Sequence, residues 1–209
     1  MSKTVDSYPV LNRMEFMKAL RPYFSETEME NIEAAYFFSK YAHRGQKRAN
    51  GLRYFEHPRA VAWMLFYELH IYDWQLICIA LLHDMIEDSF IMRPKRLEIN
   101  FGHEVAMGVK YMTKEEGLSD DEYWVRLLRT GDWRAIMCKL ADRMHNLRTL
   151  QDVALAKQKR KLAETRQKVY PLFEPAAQIT PKKYHQSVEI IRDLIEGRVE
   201  ELEASTQAK

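Results

Sequence analysis

Residues 74–89 read WQLICIALLHDMIEDS, an apolar run that ends in a cluster of ionisable side chains. A helix that is apolar nearly all round is typical of a protein core. With His83 set at zero and about 100° per residue, Glu87 lies near 40°, Asp84 near 100° and Asp88 near 140°. The pattern therefore predicts a buried helix that is apolar from 76 to 86 and carries four ionisable groups on one side.

Burying unpaired charges costs several kcal/mol each, so this cluster needs compensation. A divalent cation supplies it, because one ion binds neutral imidazole and carboxylate groups together. A cluster of surface ion pairs is the alternative interpretation for any one of these residues. Four of them on one arc favour a metal site.

A second polar group interrupts the apolar pattern of residues 139–150, KLADRMHNLRTL, on a helix that Asp132 can cap. Asp142, Asn146 and Thr149 fall within roughly 60° of one another on that helix. Asp142 is therefore a candidate fourth metal ligand, and Asn146 a candidate substrate ligand, with an exposed amphipathic face as the alternative. A further candidate is His57, where a loop enters a helix, although a lone histidine there is more often a cap or a core residue.

Helix signals dominate the rest of the chain, and period-2 alternation is nowhere convincing. Ser25 with Glu28 and Ser119 with Glu122 form capping boxes, and Asp73 can cap the apolar helix. The fold class is therefore predicted to be all-α. We expect one or two shorter helices over 94–113, weakened at Gly102 and Gly108, a charged surface segment over 151–170 and a last helix over about 182–202. The predicted organisation is an N-terminal helical extension (1–24), a main domain (25–175) and a C-terminal helix that packs on or extends from it (176–209).

Composition excludes several classes of protein. The 209 residues carry 32 Lys and Arg against 30 Asp and Glu, a net charge of +2, which argues against a protein that coats nucleic acid. The start of the chain lacks the apolar segment of a signal peptide, and the apolar run at 76–82 is too short to span a bilayer. Cys78 and Cys138 lie in apolar stretches and are predicted to be buried and unpaired. We expect a cytoplasmic protein with no membrane or nucleic-acid partner.

The order His…His-Asp…Asp resembles that of the HD-domain metal-dependent phosphohydrolases, and most closely the hydrolase domain of RelA/SpoT-type alarmone enzymes. Three stretches carry the resemblance: 42–65 (AHRGQKRANGLRYFEHPRAVAWML), 80–89 (ALLHDMIEDS) and 139–150. Weaker similarity at 101–114 and 164–173 extends it over about 33–173. Because the chain ends soon afterwards, it resembles the stand-alone small alarmone hydrolases.

That resemblance implies an HD-domain helical bundle with one buried metal ion, usually manganese, although the ligand types do not exclude Fe, Co or Zn. It also implies a catalytic acidic pair that orients the attacking water and residues that bind the substrate. The implied metal ligands are His57, His83, Asp84 and Asp142; the acidic pair is Glu87 and Asp88; the substrate-binding residues are Arg48, Asn146 and Thr149.

The implied activity is a (p)ppGpp 3′-pyrophosphohydrolase, which converts ppGpp or pppGpp to GDP or GTP plus pyrophosphate. Many family members carry a basic residue where this chain has Ala49. That departure leaves open a second substrate class, adenosine alarmones or 3′-phosphorylated nucleotides such as NADPH. A third hypothesis is a catalytically inactive HD module that binds alarmone without hydrolysing it. Because some family members act beside a toxic alarmone synthetase, the resemblance also raises that pairing as a hypothesis.

Overall fold

The computed structural model describes residues 12–48, 51–88 and 93–207, apart from the side chains of Asp88 and Gln207. Within these ranges every regular element is helical, which confirms the predicted all-α class. Pairing between extended segments there is limited to one antiparallel bridge between Lys47 and Arg53. The α-helices are α1 (Arg13–Leu20), α2 (Glu26–Ala42), α3 (Glu56–Trp63), α4 (Trp74–Leu82), α5 (Met85–Asp88), α6 (Pro94–Phe101), α7 (His103–Met112), α8 (Asp120–Arg129), α9 (Trp133–Arg148), α10 (Leu155–Glu164), α11 (Phe173–Ile179) and α12 (His185–Gln207).

The helix starts follow the predicted caps. The capping boxes at Ser25 and Ser119 are both formed, with each serine side chain accepting from the amide three residues later. Asp73 accepts from the amide of Leu76, and Asp132 accepts from the amides of Arg134 and Ala135 in the first turn of α9. Each cap satisfies a backbone donor that the helix itself leaves without a partner.

Helix α4 is the centre of the core. It packs against α2, α3, α7 and α9, and residues 76–82 are fully buried. Helix α7 comes close because it presents Gly108 to α4, where a Cβ atom would overlap the Ile79 side chain. The prediction that Gly108 weakens the helix is therefore wrong, since Gly108 lies inside α7 and allows close packing. The chain does break at Gly102, which has a φ of 82° between α6 and α7.

The predicted continuous helix through residue 86 is also wrong. Helix α4 ends at Leu82, His83 and Asp84 form a turn, and α5 follows. The His83 ring hydrogen-bonds to the carbonyl oxygen of Ala80 (2.8 Å), an acceptor that a continuing helix would use for the amide of residue 84. The turn changes the directions of the side chains that follow it, so the angles worked out for one helix do not apply.

The C-terminal helix α12 packs against α9, α10 and α11. Its packed face is an apolar stripe, and the Arg198 guanidinium donates to the carbonyl oxygens of Leu147 (3.4 Å) and Arg148 (3.3 Å) at the end of α9. The buried residues of the stripe are Val188, Ile191, Ile195, Val199 and Leu202. The division of the chain into domains stays a prediction.

Cys78 and Cys138 are both buried and free, as predicted. No helix in the described ranges combines the length and the apolar character that crossing a bilayer requires.

Candidate metal centre

Three elements converge on one buried cluster of imidazole and carboxylate groups. The first turn of α3 supplies His57, the turn between α4 and α5 supplies His83 and Asp84, and the middle of α9 supplies Asp142. The packing of α3 and α9 against α4 brings these elements together. The structure thus places all four predicted metal-site residues side by side.

The donor atoms lie at distances that suit one ion. His57 Nε2 is 3.1 Å from Asp142 Oδ1 and 3.7 Å from Asp84 Oδ2. His83 Nε2 is 3.1 Å from Asp84 Oδ1 and 3.9 Å from Asp142 Oδ1. One ligand atom from each of His57, His83 and Asp142 lies within 4.8 Å of the others. Ligand atoms bound at about 2.1 Å around a single ion have separations in this range.

The hydrogen bonds of His83 show that its side chain fits the role of a metal ligand. Its Nδ1 is held by the Ala80 carbonyl oxygen, which can only accept, so Nδ1 carries the hydrogen. Its buried Nε2 makes no hydrogen bond of acceptable geometry with any described residue, although Asp84 Oδ1 is near. In its neutral form an imidazole held in this way presents a lone pair at Nε2, which is the arrangement of a metal-binding histidine.

Charges around the cluster favour ionised carboxylates. Burial opposes the charge on Asp142, but the Lys139 ammonium, 3.1 Å away, and the two histidines hold the pKa of Asp142 well below its usual range. Burial likewise opposes protonation of His83, but Asp84 and Asp142 raise its pKa to about 9. Two carboxylates in a buried site thus attract positive charge, which a divalent cation also supplies.

Two side chains that the sequence analysis missed orient this cluster. Tyr54 Oη donates to Asp84 Oδ2 (3.0 Å), and its ring stacks on the buried His43 at 4.7 Å between centroids. His145 Nδ1 is 2.8 Å from His57 Nδ1. Burial, with His57 and Arg48 nearby, lowers the pKa of His145 to about 2. The only signal for either residue is its spacing of three from a predicted ligand.

The cluster opens onto a cleft of about 550 Å³ that all three predicted substrate-binding residues line. Arg48 donates to Asn146 Oδ1 (2.6 Å), and Asn146 donates to Asp142 Oδ1 (2.6 Å). The Thr149 hydroxyl donates to the Asn146 carbonyl oxygen (3.4 Å). The loop before α3 and the end of α9 are therefore joined beside the metal site.

Of the predicted acidic pair, the structure describes the side chain of Glu87. Glu87 is exposed, lines the cleft and accepts from the backbone amide of Lys114. Asp88 belongs to α5, but its side chain lies outside the described part, as does Ala49. The structure therefore brings Glu87 to the mouth of the site rather than into the buried cluster.

Charged side chains of both signs line the cleft, and the acidic ones are Asp84, Glu87, Asp120, Asp142, Asp152 and Glu164. The charged segment 151–170, predicted to lie on the surface, contributes two lysines from α10 and packs its other face on the core. The Nζ atom of Lys139 lies 5.5 Å from the centroid of the Tyr123 ring and 5.6 Å from the centroid of the Trp124 ring. The cationic residues that line the cleft are Lys47, Arg48, Lys114, Lys139, Arg143, Lys157 and Lys161.

Comparisons with known proteins agree with this arrangement. The profile of the HD domain matches residues 35–177. The bifunctional (p)ppGpp synthase/hydrolase SpoT of Escherichia coli K12 is 34% identical over 162 residues, 73% of this chain and 23% of SpoT. The GTP pyrophosphokinase rsh of Brucella melitensis is 34% identical over 150 residues, 68% of this chain and 20% of that protein. This chain therefore spans less than a quarter of these relatives.

The fold also matches a solved structure, that of a metazoan ortholog of SpoT that hydrolyzes ppGpp. The two share a TM-score of 0.61 at 22% sequence identity, over 84% of this chain and 97% of the other. At that identity the likeness concerns the fold.

Proposed function

Because the chain belongs to the HD-domain family, we propose that it is a metal-dependent hydrolase that removes the 3′-diphosphate of ppGpp and pppGpp, leaving GDP or GTP and releasing pyrophosphate. The observation that carries this proposal is the buried cluster of His57, His83 and Asp142, with Asp84 beside it, at a cleft lined by cationic side chains. A substrate with four or five phosphates matches such a cleft. SpoT, which is named as a (p)ppGpp synthase/hydrolase, supports the choice of nucleotide.

In this proposal His57, His83, Asp84 and Asp142 hold one ion, for which we propose manganese. A bound divalent ion lowers the pKa of water and offsets charge on the phosphoryl oxygens. Two hydrogen bonds orient the proposed ligands of the ion: the Ala80 carbonyl oxygen accepts from the ring of His83, and the Tyr54 hydroxyl donates to one oxygen of Asp84. The two carboxylates are ionised without further rearrangement because Lys139 and the histidines lower their pKa values.

The acidic pair is proposed to manage protons at the mouth of the site. Water attacks the phosphorus atom bonded to the ribose 3′ oxygen, the bond between that phosphorus and the 3′ oxygen breaks, and the 3′ oxygen gains a proton. We assign to Glu87 the task of accepting the proton of the attacking water, and the position of its carboxylate in the cleft, held by the Lys114 amide, supports this. We assign Asp88, the next residue on α5, to the same task.

Substrate contacts are proposed for the network beside the metal site. The Nη1 atom of Arg48 is buried without a hydrogen-bond partner among the described residues, so it has donor capacity left for a phosphate or a base. Asn146 and Thr149 line the same wall and are assigned to the nucleoside. The lysines of α10 lie where the remaining phosphates need positive charge.

The test is turnover of ppGpp by the purified protein with Mn²⁺ and with EDTA, followed by release of pyrophosphate and GDP. We expect release only with the metal, and no release from His83→Ala, which lacks a ligand. A parallel panel of pppGpp, an adenosine alarmone and NADPH shows the substrate preference. Intact ppGpp after incubation with protein that demonstrably holds Mn²⁺ would overturn the proposed substrate, and equal rates for wild type and His83→Ala would overturn the proposed metal site.

A further inference from the structure

We infer that His145 is a positioning residue of the metal centre, and that the hydrogen bond between His145 and His57 reverses its direction when a metal ion binds. The inference rests on the proposed metal centre. Through this bond His145 holds the His57 ring in place with either nitrogen of His57 protonated, and it accepts from Nδ1 when Nε2 is needed for an ion.

The geometry allows one hydrogen between the two rings. His57 Nδ1 and His145 Nδ1 are 2.8 Å apart, both side chains are buried, and the ring centroids are 4.8 Å apart. A neutral imidazole has one N–H group and one lone pair, so one ring must donate and the other accept. A donor in each ring at this distance would place two hydrogens in one contact.

The opposite side of the His57 ring decides which ring donates. His57 Nε2 is 3.1 Å from Asp142 Oδ1 and 3.7 Å from Asp84 Oδ2, and both carboxylates accept hydrogens. In metal-free protein the hydrogen of His57 is therefore on Nε2, and His145 donates to His57 Nδ1. With an ion at Nε2 that nitrogen must present its lone pair, so the hydrogen is on His57 Nδ1 and His145 accepts.

The number of hydrogens on the two rings is the same before and after this exchange. In the metal-free arrangement His57 carries a hydrogen on Nε2 and His145 carries one on Nδ1. In the metal-bound arrangement His57 carries a hydrogen on Nδ1 and His145 carries one on Nε2. Each ring stays neutral with one hydrogen, so the reversal itself releases no proton.

His83 provides an internal comparison. Its Nδ1 faces the carbonyl oxygen of Ala80, which accepts in every state, so neutral His83 has a single permitted tautomer. The partner of His57 is instead a side chain that can donate or accept. The structure thus holds one histidine in a fixed tautomer and leaves the other able to exchange.

The direct test is long-range ¹H–¹⁵N NMR of the imidazole nitrogens in wild-type protein, first with EDTA and then with Zn²⁺, a diamagnetic probe. We expect the hydrogen of His57 to be on Nε2 with EDTA and on Nδ1 with Zn²⁺, while His145 changes in the opposite sense. Signals are assigned with His145→Asn. The same tautomer pair under both conditions would overturn the reversal.

The positioning role is tested by calorimetric titration of EDTA-treated, dialysed protein with Mn²⁺. His145→Phe removes the partner and should weaken Mn²⁺ binding about 10- to 100-fold, the usual effect of losing a residue that orients a ligand. His145→Asn should restore most of the affinity, because its carboxamide reaches the position of Nδ1 and can donate or accept. His185→Phe is the control, since His185 bonds to the carbonyl oxygen of Thr180, away from the cluster.

The outcomes separate this inference from the proposed function. Wild-type affinity in a folded His145→Phe, judged by its melting curve with EDTA, would overturn the positioning role and leave the metal centre standing. Equal losses in the Phe and Asn variants would also contradict it. If wild-type protein bound neither Mn²⁺ nor Zn²⁺, the proposed metal centre and this inference would both fail.

Discussion

Lys139→Met should separate the charge balance of the metal centre from its ability to bind metal. The Lys139 ammonium lies 3.1 Å from Asp142 Oδ2, and these side chains are only 16% and 10% exposed. Two unit charges at that distance attract by about 5 kcal/mol at an effective dielectric constant of about 20, and desolvation offsets part of this. Because breaking a buried ion pair typically costs 3–5 kcal/mol, we expect a loss of about 3 kcal/mol in the free energy of unfolding.

Methionine suits this test because it keeps an unbranched stem beside Tyr123 and Trp124 while removing the charge. All four proposed ligands remain, and a competing cation is gone. Mn²⁺ at about 100 times the dissociation constant stabilises a protein by about 2.7 kcal/mol, and its stabilisation of the variant should exceed that of wild type at the same concentration. Metal should therefore reverse most of the loss.

Urea unfolding of both proteins, with EDTA and with Mn²⁺, measures these four free energies. Lys157→Met is the matched control, because Lys157 lines the same cleft on an exposed surface. A variant as stable as wild type in EDTA would refute the view that Lys139 neutralises Asp142. Weaker stabilisation by Mn²⁺ in the variant than in wild type would show that Lys139 supports the metal rather than competing with it.

Three further outcomes are expected. Glu87→Ala combined with Asp88→Ala should retain Mn²⁺ binding by calorimetry but slow ppGpp turnover by about 10²- to 10⁴-fold, and a wild-type rate would show the assigned proton roles to be wrong. Gly108→Ala should lower the free energy of unfolding in urea by about 1–3 kcal/mol, because its methyl group overlaps α4, whereas Gly197→Ala on α12 has no atom within 4 Å of its Cβ and should be neutral or stabilising. Burial lowers the folded pKa of His145 from 6.5 to about 2, so its contribution to stability is present above pH 6.5 and is lost as the pH falls toward 2. In EDTA, wild type should therefore lose about 1 kcal/mol between pH 6.5 and 5.5 relative to His145→Asn, and parallel urea midpoints over that range would contradict the buried neutral state.

The sequence could predict the candidate metal centre because charge inside an apolar pattern is costly. His83 and Asp84 follow seven apolar residues, and Asp142 comes directly after the buried Leu140 and Ala141. His57 has no such background, since a histidine at the start of a helix has several ordinary roles. Only the resemblance to a family assigned it, and the structure then placed it 3.1 Å from Asp142.

The errors arise where a side chain competes with the backbone or where contacts join distant parts of the chain. The helical projection placed Glu87 within about 40° of His83, but the bond from His83 to the Ala80 carbonyl accompanies the end of α4. The link between His57 and His145 joins residues 88 positions apart, so no local pattern reports it. The spacing of three residues between Lys139 and Asp142 is compatible with an ion pair. The same spacing is common between charged residues on a helix surface, so it does not predict a buried pair.

The packing of α12 on α9 limits how far this chain can be shortened without exposing part of its core. The HD-domain match ends at residue 177, yet the guanidinium of Arg198 caps the last carbonyls of α9, next to Asn146 and Thr149. An expression fragment cut at the edge of the match would strip the apolar stripe of α12 from the helix that bears Asp142. The folded unit that bears the candidate metal centre therefore extends beyond the segment matched by the family, and α12 supports the end of α9 that lines the cleft.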